Sequence, residues 1–237
     1  MWSVAAGPAA EEAAMRSAAW IGAATLGLLA GAWQAAAEKN WVPVDLSSRT
    51  NAKLGDPCIH GGDGQGNNLA ELPRGEQTLQ GVKFKVGDGL IHLAGRFAPK
   101  RPEKVEGIAV GGRAEALYFL HATGWGQGEP GADTYVADGT VIGRYRVNYE
   151  DRSHADIPIV YGEDVRDWWF NDDAKGVSRG KVAWQGKNAL SAQSDSRVRL
   201  YLGTWKNPHP EKSIASIDYS STMTAACPFL VAITVER

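Results

Sequence analysis

The chain is poor in cysteine, in net charge and in the motifs that mark zinc sites. Its only cysteines are Cys58 and Cys227, and Cys58-Ile-His60 is too sparse for a zinc site, which needs about four ligands. The formal net charge of −2 does not favour nucleic acid or an anionic membrane as a partner. An H-E-x-x-H motif is absent. These features argue against a nucleic-acid-binding protein and a zinc enzyme.

An apolar segment near the N-terminus, residues 18–33, ends in Gln34-Ala35-Ala36-Ala37. An apolar run followed by small residues of the A-x-A type is typical of a cleaved signal peptide. Met15 and Arg16 directly precede the run, so we expect Met15 to be the true start. About twenty apolar residues can also span a bilayer, and an uncleaved anchor is the alternative. We predict a signal peptide over residues 1–37, export to the periplasm or the extracellular space, and no membrane span after cleavage.

Beyond residue 40 the sequence alternates between apolar and polar residues at the period of a β-strand. In the segment 144–149, Tyr145, Val147 and Tyr149 would lie on one face, and a polar turn separates them from a second strand at 157–161, which predicts a β-hairpin. Segment 229–235 alternates in the same way, as expected for a sheet with one face in the core. The roughly 200 remaining residues suffice for one core. The sequence predicts a single all-β domain over 38–237, folded as an antiparallel β-sandwich.

The spacing of the strands predicts where the loops lie. The predicted strands are 42–46, 79–86, 90–93, 105–110, 117–121, 141–149, 157–161, 181–184, 197–202, 213–219 and 229–235. Tight turns alternate with the long loops 47–77, 94–104, 123–139, 162–180 and 204–212. If successive strands are antiparallel, the long loops gather at one end, where a rigid scaffold usually presents its binding surface. One misassigned strand between residues 161 and 197 would move loop 204–212 to the opposite end.

The two cysteines leave two alternatives open. An oxidising compartment would permit a bridge between Cys58 and Cys227, and the other interpretation is a pair of buried thiols. The alternation of strands places Cys227 at the end opposite the start of loop 47–77, which argues against a bridge unless that loop folds back.

Tryptophans accompany polar side chains in three of the long loops. Trp125 lies between glycines after the apolar run 116–120, which is dense enough for a central strand buried on both faces. Trp168 and Trp169 are neighbours, so on an extended backbone only one of them can face the core. An indole ring can stack on the C–H face of a sugar, while carboxylates, amides and imidazoles bond its hydroxyls. The predicted ligand-binding residues are Trp125, Asp164, Asp167, Trp168, Trp169, Trp205, Asn207 and His209.

A glycine-rich stretch, residues 61–69, matches one nonapeptide of the calcium-binding β-roll, except that Gly66 stands where the pattern has aspartate. A β-roll needs stacked copies and this pattern occurs once, so a tightly turning loop is the alternative. Oxygen atoms of Asp63, Asn67 and Asn68 are the predicted ligands of a structural calcium ion. No other cofactor is suggested.

Several segments resemble the galactose-binding-like jelly rolls, in particular bacterial carbohydrate-binding modules of the NPCBM type. The resemblance rests on Val44-Asp-Leu-Ser47, Leu79-Gln-Gly-Val-Lys-Phe84, Ala116-Leu-Tyr-Phe-Leu-His121 and Val147-Asn-Tyr149. It implies a jelly-roll sandwich and sugar binding. Because modules of one fold carry different ligands, it does not imply catalysis.

We therefore expect an exported, non-enzymatic module that binds carbohydrate through aromatic and acidic loops at one end of the sandwich. The alternative is an interaction module whose aromatic end docks another protein of the cell envelope. A third hypothesis is a glycan-processing enzyme that uses Glu163, Asp164 or Asp167. Such an enzyme needs two carboxyls, about 5 Å apart when retaining and about 6.5–9.5 Å apart when inverting.

Overall fold

The computed structural model describes residues 39–57 and 66–237, and this part of the chain is almost entirely β. The predicted signal peptide, Cys58 and Asp63 lie outside the described residues. The strands are β1 (Trp41–Pro43), β2 (Ala52–Lys53), β3 (Gly75–Leu79), β4 (Val82–Val86), β5 (Gly89–His92), β6 (Lys104–Ala109), β7 (Ala116–Gly124), β8 (Val141–Tyr149), β9 (His154–Val160), β10 (Trp169–Phe170), β11 (Lys181–Gly186), β12 (Arg197–Lys206), β13 (Ile214–Ser221) and β14 (Cys227–Glu236). One short helix, α1 (Ala189–Gln193), accompanies them. No helix within the described ranges has the length and apolar character needed to cross a bilayer.

Two antiparallel sheets pack face to face. The larger follows the order β10-β12-β7-β14-β5-β2, with β1 added to β14 and β11 to β12, and the smaller follows the order β6-β13-β8-β9. A stack of buried rings joins their inner faces, because Phe119 of β7 lies 4.0 Å from Tyr145 of β8, between ring centroids. Tyr145 in turn stacks on Tyr219 of β13 at 4.7 Å. The predicted all-β, sandwich-like arrangement of antiparallel sheets is confirmed.

Strand β7 occupies the centre of the larger sheet, between β12 and β14. All of its residues are buried, as the apolar run 116–120 predicts. Strand β14 is buried on both faces as well, apart from its last residue, although its alternating sequence predicts one exposed face. The separate β3–β4 hairpin covers that outer face, and the hydroxyl of Thr234 donates a hydrogen bond to the Lys83 carbonyl at 2.8 Å.

The predicted hairpin at 144–161 is present. Strand β8 pairs with β9 from Val141 to Asn148, and Tyr145, Val147 and Tyr149 are buried. Strand β9 lies at the edge of the smaller sheet. Its Pro158 has no backbone N–H to donate, and an edge strand tolerates this because it has a partner strand on one side only.

The predicted strand 79–86 is instead the turn and second strand of a hairpin. Gln80 and Gly81 have φ angles of 51° and 78°, so both occupy the left-handed region. Two such residues form the tight turn that joins twisted antiparallel strands. The chain therefore reverses between Leu79 and Val82, where β3 meets β4.

Strand β10 was not predicted from the sequence, and the strands that follow β9 do not alternate in direction. Both β10 and β11 pair with β12 in antiparallel orientation, so they run in the same direction, and β12 runs antiparallel to β7, with Lys206 opposite Ala116. The loops after β7 and β9 meet at one end of the sandwich, and the loop after β12 lies at the other. Trp205 pairs with Leu117, so about 26 Å of strand separates it from Trp125 at about 3.3 Å per residue.

Cys227 begins β14 and carries a free, buried thiol. Burial raises the pKa of this thiol to about 11. Because the thiolate is the reactive form, Cys227 is a poor nucleophile and metal ligand at neutral pH.

Candidate ligand-binding site

A cavity of about 220 Å³ lies at the end of the sandwich where the loops after β7 and β9 meet. It is lined by Trp125, Gln127, Thr134, Asp167, Trp168, Trp169 and Leu190. We call it the tryptophan pocket. Four of the eight predicted ligand-binding residues meet here, namely Trp125, Asp167, Trp168 and Trp169.

The chain leaves β7 through two residues in the left-handed region. Trp125 has a φ of 64° and Gly126 a φ of 115°, and the pair turns the backbone away from the sheet. The Trp125 ring packs against Phe97, with their centroids 5.1 Å apart. This contact holds the indole at the rim of the pocket.

Gly126 also allows a close approach to the Tyr161 ring. A Cβ atom at Gly126 would lie 2.4 Å from Cε2 of Tyr161, and its backbone conformation disfavours any other residue. We expect Gly126→Ala to lower the free energy of unfolding by about 2–3 kcal/mol, since backbone strain and overpacking act together. Chemical unfolding followed by circular dichroism measures this loss.

Two other glycines separate the effect of backbone strain from the effect of overpacking in the same experiment. Gly131 has a φ of 95° but open space around it, and Gly176 has open space and no left-handed φ. Gly131→Ala should cost about 1 kcal/mol from strain alone, and Gly176→Ala less than about 0.5 kcal/mol. Equal losses at Gly126 and Gly131 would contradict the role of the Tyr161 contact.

The two adjacent tryptophans point to opposite sides, as the sequence predicts. The Trp168 backbone donates a hydrogen bond to the Thr123 carbonyl at 2.8 Å, which places its side chain in the core. That ring is buried and meets Phe229 edge-on, with centroids 5.9 Å apart. Trp169 is half-buried, and its Nε1 donates to Oδ1 of Asn67 at 2.9 Å. Trp168 therefore supports the pocket from below, while Trp169 forms part of its wall.

Asp167 is the buried carboxyl of the pocket. Desolvation raises the pKa of this group to about 7, and its Oδ1 accepts a hydrogen bond from the Trp169 backbone at 3.0 Å. Below that pH the carboxyl is protonated, so its hydroxyl can donate while its other oxygen accepts. Such a group can bond a ligand hydroxyl in either direction.

The two asparagines of the predicted calcium site are engaged within the chain. Oδ1 of Asn67 accepts hydrogen bonds from Trp169 Nε1 at 2.9 Å and from Asn188 Nδ2 at 3.2 Å, which occupies both of its lone pairs. Oδ1 of Asn68 accepts from the Ala70 backbone at 3.1 Å. Within residues 39–57 and 66–237, no cluster of His, Cys, Asp and Glu could hold a metal ion. In the described part of the chain, Asn67 thus ties Trp169 to Asn188, the N-cap of α1.

Two further predicted residues lie in a second cavity of about 230 Å³, between the edges of the two sheets. We call it the edge cleft. It is lined by Phe119, His121, Tyr145, Asp156, Ile157, Pro158, Ile159, Asp164, Arg179, Gly203, Thr204 and Trp205. Both carboxylate oxygens of Asp164 are bonded to Arg179, at 2.6 Å each. Asp164 is therefore neutralised by its partner, and Trp205 forms a wall of this cleft rather than of the tryptophan pocket.

A buried histidine forms the floor of the edge cleft. Nδ1 of His121 lies 3.0 Å from the Tyr145 hydroxyl, and Nε2 has no partner among the described residues. Burial lowers the pKa of His121 to about 4, so the imidazole is neutral at physiological pH. Gly203 leaves room for the ring, because a Cβ atom there would lie 2.7 Å from Nε2.

Asn207 and His209 lie at the opposite end of the sandwich from the tryptophan pocket. Oδ1 of Asn207 accepts from the Tyr149 hydroxyl at 2.6 Å and from the His209 backbone at 3.0 Å. Its Nδ2 donates to the carbonyls of Ala114 at 2.8 Å and of His209 at 3.1 Å. All four hydrogen-bonding positions of this buried amide are used. Asn207 therefore fixes the loop after β12, and His209 packs edge-on against Tyr149.

Some lining residues were not among those predicted from the sequence. Thr134 and Leu190 come from a loop and from α1, and they carry no local signal for a site. Arg199, which lines a neighbouring cavity, does carry such a signal, because it faces inward from the otherwise apolar centre of β12. A charged residue at a core position of a strand is a detectable signal.

The fold and the cavities define an antiparallel β-sandwich with a ligand-sized pocket at the end where two long loops meet. No protein-family model, curated protein or solved structure matches the chain. The resemblance to galactose-binding-like jelly rolls stays a prediction. Because one fold can carry many functions, the chemistry of the site indicates what the protein binds.

Proposed function

We propose that the protein is an exported, non-enzymatic module of the galactose-binding-like jelly-roll type that binds a sugar ring in the tryptophan pocket. One observation carries this proposal: two part-buried indoles, Trp125 and Trp169, and the buried Asp167 line the same cavity. The predicted signal peptide over residues 1–37 supports a role outside the cytoplasm.

The chemistry of the lining suits a sugar. A pyranose ring has an apolar C–H face, which packs on aromatic rings, and a rim of hydroxyls that need polar partners. Gln127 and Thr134 offer both donors and acceptors, and Asp167 bonds a hydroxyl in either protonation state. The volume of about 220 Å³ is below the range of about 300–1,000 Å³ for drug-sized ligands. It suits one ring rather than a long oligosaccharide.

The distribution of carboxyls supports binding over hydrolysis. A typical glycosidase places two carboxyls on either side of the scissile bond. Asp167 is the only carboxyl among the residues that line the tryptophan pocket, and Asp164 is held by Arg179 in the edge cleft. The pocket therefore supplies a single acidic group, which is enough to orient a hydroxyl.

Replacing Trp125 by alanine is expected to weaken sugar binding at least about tenfold, equivalent to about 1.4 kcal/mol, since the stacking surface is lost. The ligand is first found by screening residues 38–237 on a glycan array, and affinities are then measured by titration calorimetry. Thermal unfolding of the variant verifies that the fold is retained.

Trp205→Ala is the matched control, because its ring lies in the edge cleft. Its affinity should equal that of the unaltered protein. Loss of binding in Trp205→Ala alone would move the sugar site to the edge cleft. A blank array would favour the alternative of a protein partner in the cell envelope.

A further inference from the structure

A larger cavity of about 420 Å³ adjoins the tryptophan pocket, and Gln127 lines both. We call it the arginine pocket. Its charged lining residues are Asp138, Arg166, Lys175 and Arg199. Three cationic side chains therefore share this cavity with a single carboxylate.

Arg199 is the unusual member of this group. It is only 5 % exposed, and its Nε donates to the Asp167 carbonyl at 3.3 Å. A guanidinium carries five N–H donors, and besides this bond Arg199 interacts with the Tyr201 hydroxyl and with the Asp167 carboxyl. Burying a charged group in this way is costly unless a partner compensates it.

Aromatic rings hold the Arg199 side chain in place. The guanidinium carbon lies 4.6 Å from the ring centroid of Phe170 and 5.3 Å from that of Tyr201. Contacts of this kind use the flat face of the guanidinium and leave its N–H edge available. The N–H edge of Arg199 is thus held beside the cavity.

The carboxylate that lines the arginine pocket, Asp138, is bound to Arg166 rather than to Arg199. Arg166 binds Asp138, with Nη2 and Oδ2 2.7 Å apart, and its Nε donates to the Gly176 carbonyl at 2.7 Å. Within the described ranges, neither Lys175 nor Arg199 forms an ion pair with a carboxylate. The residues that line the arginine pocket therefore carry more positive than negative charge, and an anion would balance the excess.

We infer that the arginine pocket binds an oxyanion, with the guanidinium of Arg199 as its principal donor. Carboxylate, sulfate and phosphate groups share the oxygen geometry that an arginine fork matches. The group could belong to a free inorganic anion or to an acidic sugar whose ring occupies the tryptophan pocket. Binding of an acidic sugar rests on the proposed function, whereas binding of a free inorganic anion does not.

The experiment measures binding of sodium sulfate and of glucuronate by titration calorimetry, at constant ionic strength set with sodium chloride. Arg199→Met keeps an apolar stem against Phe170, and it should weaken binding of both probes at least about tenfold. Lys175→Gln changes an exposed residue that is safe for the fold, and it should weaken binding about two- to threefold. Lys100→Gln, an exposed lysine outside the pocket lining, is the matched control and should change nothing.

The outcomes separate the two sources. Sulfate binding that depends on Arg199 and is unchanged in Trp125→Ala supports a site for a free anion. Glucuronate binding that is tighter than sulfate binding and weakens in Trp125→Ala supports an acidic sugar. If neither probe binds, or if Arg199→Met and Lys175→Gln leave both affinities unchanged, the inference is overturned.

The same titrations distinguish this inference from the proposed function. Sulfate that binds through Arg199 while no neutral sugar binds would leave the oxyanion site standing and reject the sugar site. Glucose that binds equally to the unaltered protein and to Arg199→Met, without any sulfate or glucuronate binding, would support the sugar site and reject the oxyanion site.

Discussion

Trp168→Ala is expected to lower the free energy of unfolding by about 3–5 kcal/mol, the usual cost of removing a large aromatic ring from a packed core. The side chain is 1 % exposed and is among the largest of the fully buried residues. It meets Phe229 of β14 edge-on, so its removal leaves a void between the loop after β9 and the central part of the larger sheet. Urea unfolding followed by circular dichroism measures the loss.

Its neighbour Trp169 provides the matched control for this prediction. Trp169 is half-buried, and its removal forfeits one hydrogen bond to Asn67 and part of its apolar contact. We expect Trp169→Ala to cost about 1–2 kcal/mol. A loss as large as that of Trp168→Ala would contradict the assignment of one ring to the core and the other to the pocket wall.

The buried carboxyl of Asp167 should make the protein less stable as the pH rises from about 4 to about 7. Burial raises the pKa of this group from 3.8 to about 7 in the folded state. Within that window the folded protein holds a proton that the unfolded chain has released, so the free energy of unfolding falls with increasing pH. At 1.36 kcal/mol per pKa unit, the full change is on the order of 4 kcal/mol.

A second buried group acts in the opposite direction, and the experiment must separate the two. Burial lowers the pKa of His121 from 6.5 to about 4, so the unfolded chain binds the extra proton there. The contribution of His121 to stability therefore rises with pH between about 4 and 6.5. Comparing the unaltered protein with Asp167→Asn cancels this contribution, because both proteins contain His121.

The measurement is the difference in unfolding free energy between these two proteins at pH 4, 5, 6 and 7. At pH 4 the Asp167→Asn variant should have the lower free energy of unfolding. The difference should shrink as the pH rises, and the variant should be the more stable protein as the pH approaches 7. Parallel pH profiles would show that Asp167 titrates at its ordinary pKa.

Much of the fold could be predicted because its strongest elements rest on local patterns. The β8–β9 hairpin follows from the alternation of Tyr145, Val147 and Tyr149, and the central position of β7 from its continuous apolar run. Strand β10 could not be predicted in this way. Two residues are too few to display a period. Strand β10 forms because it pairs with β12, which comes from a distant part of the sequence.

The pocket was predictable only in part, for the same reason. Trp125 and Asp167 belong to loops that follow β7 and β9, and their expected convergence does not depend on β10. The position of Trp205 was not predictable, because β10 and β11 run in the same direction, so strand direction does not alternate before β12 and the end of β12 lies at the far side. Asp164 was recognised as an acidic loop residue, but its pairing with Arg179 arises from a loop whose path the sequence does not specify.

The position of β14 has a consequence for how the protein is made. It is the last of the described strands in chain order, yet it lies between β7 and β5 and also pairs with β1. During synthesis these three strands leave the ribosome long before their common partner, and such distant pairings form slowly. The larger sheet can close only when β14 arrives. The tryptophan pocket, which is built on the end of β7, therefore takes shape only after the chain has been made through β14.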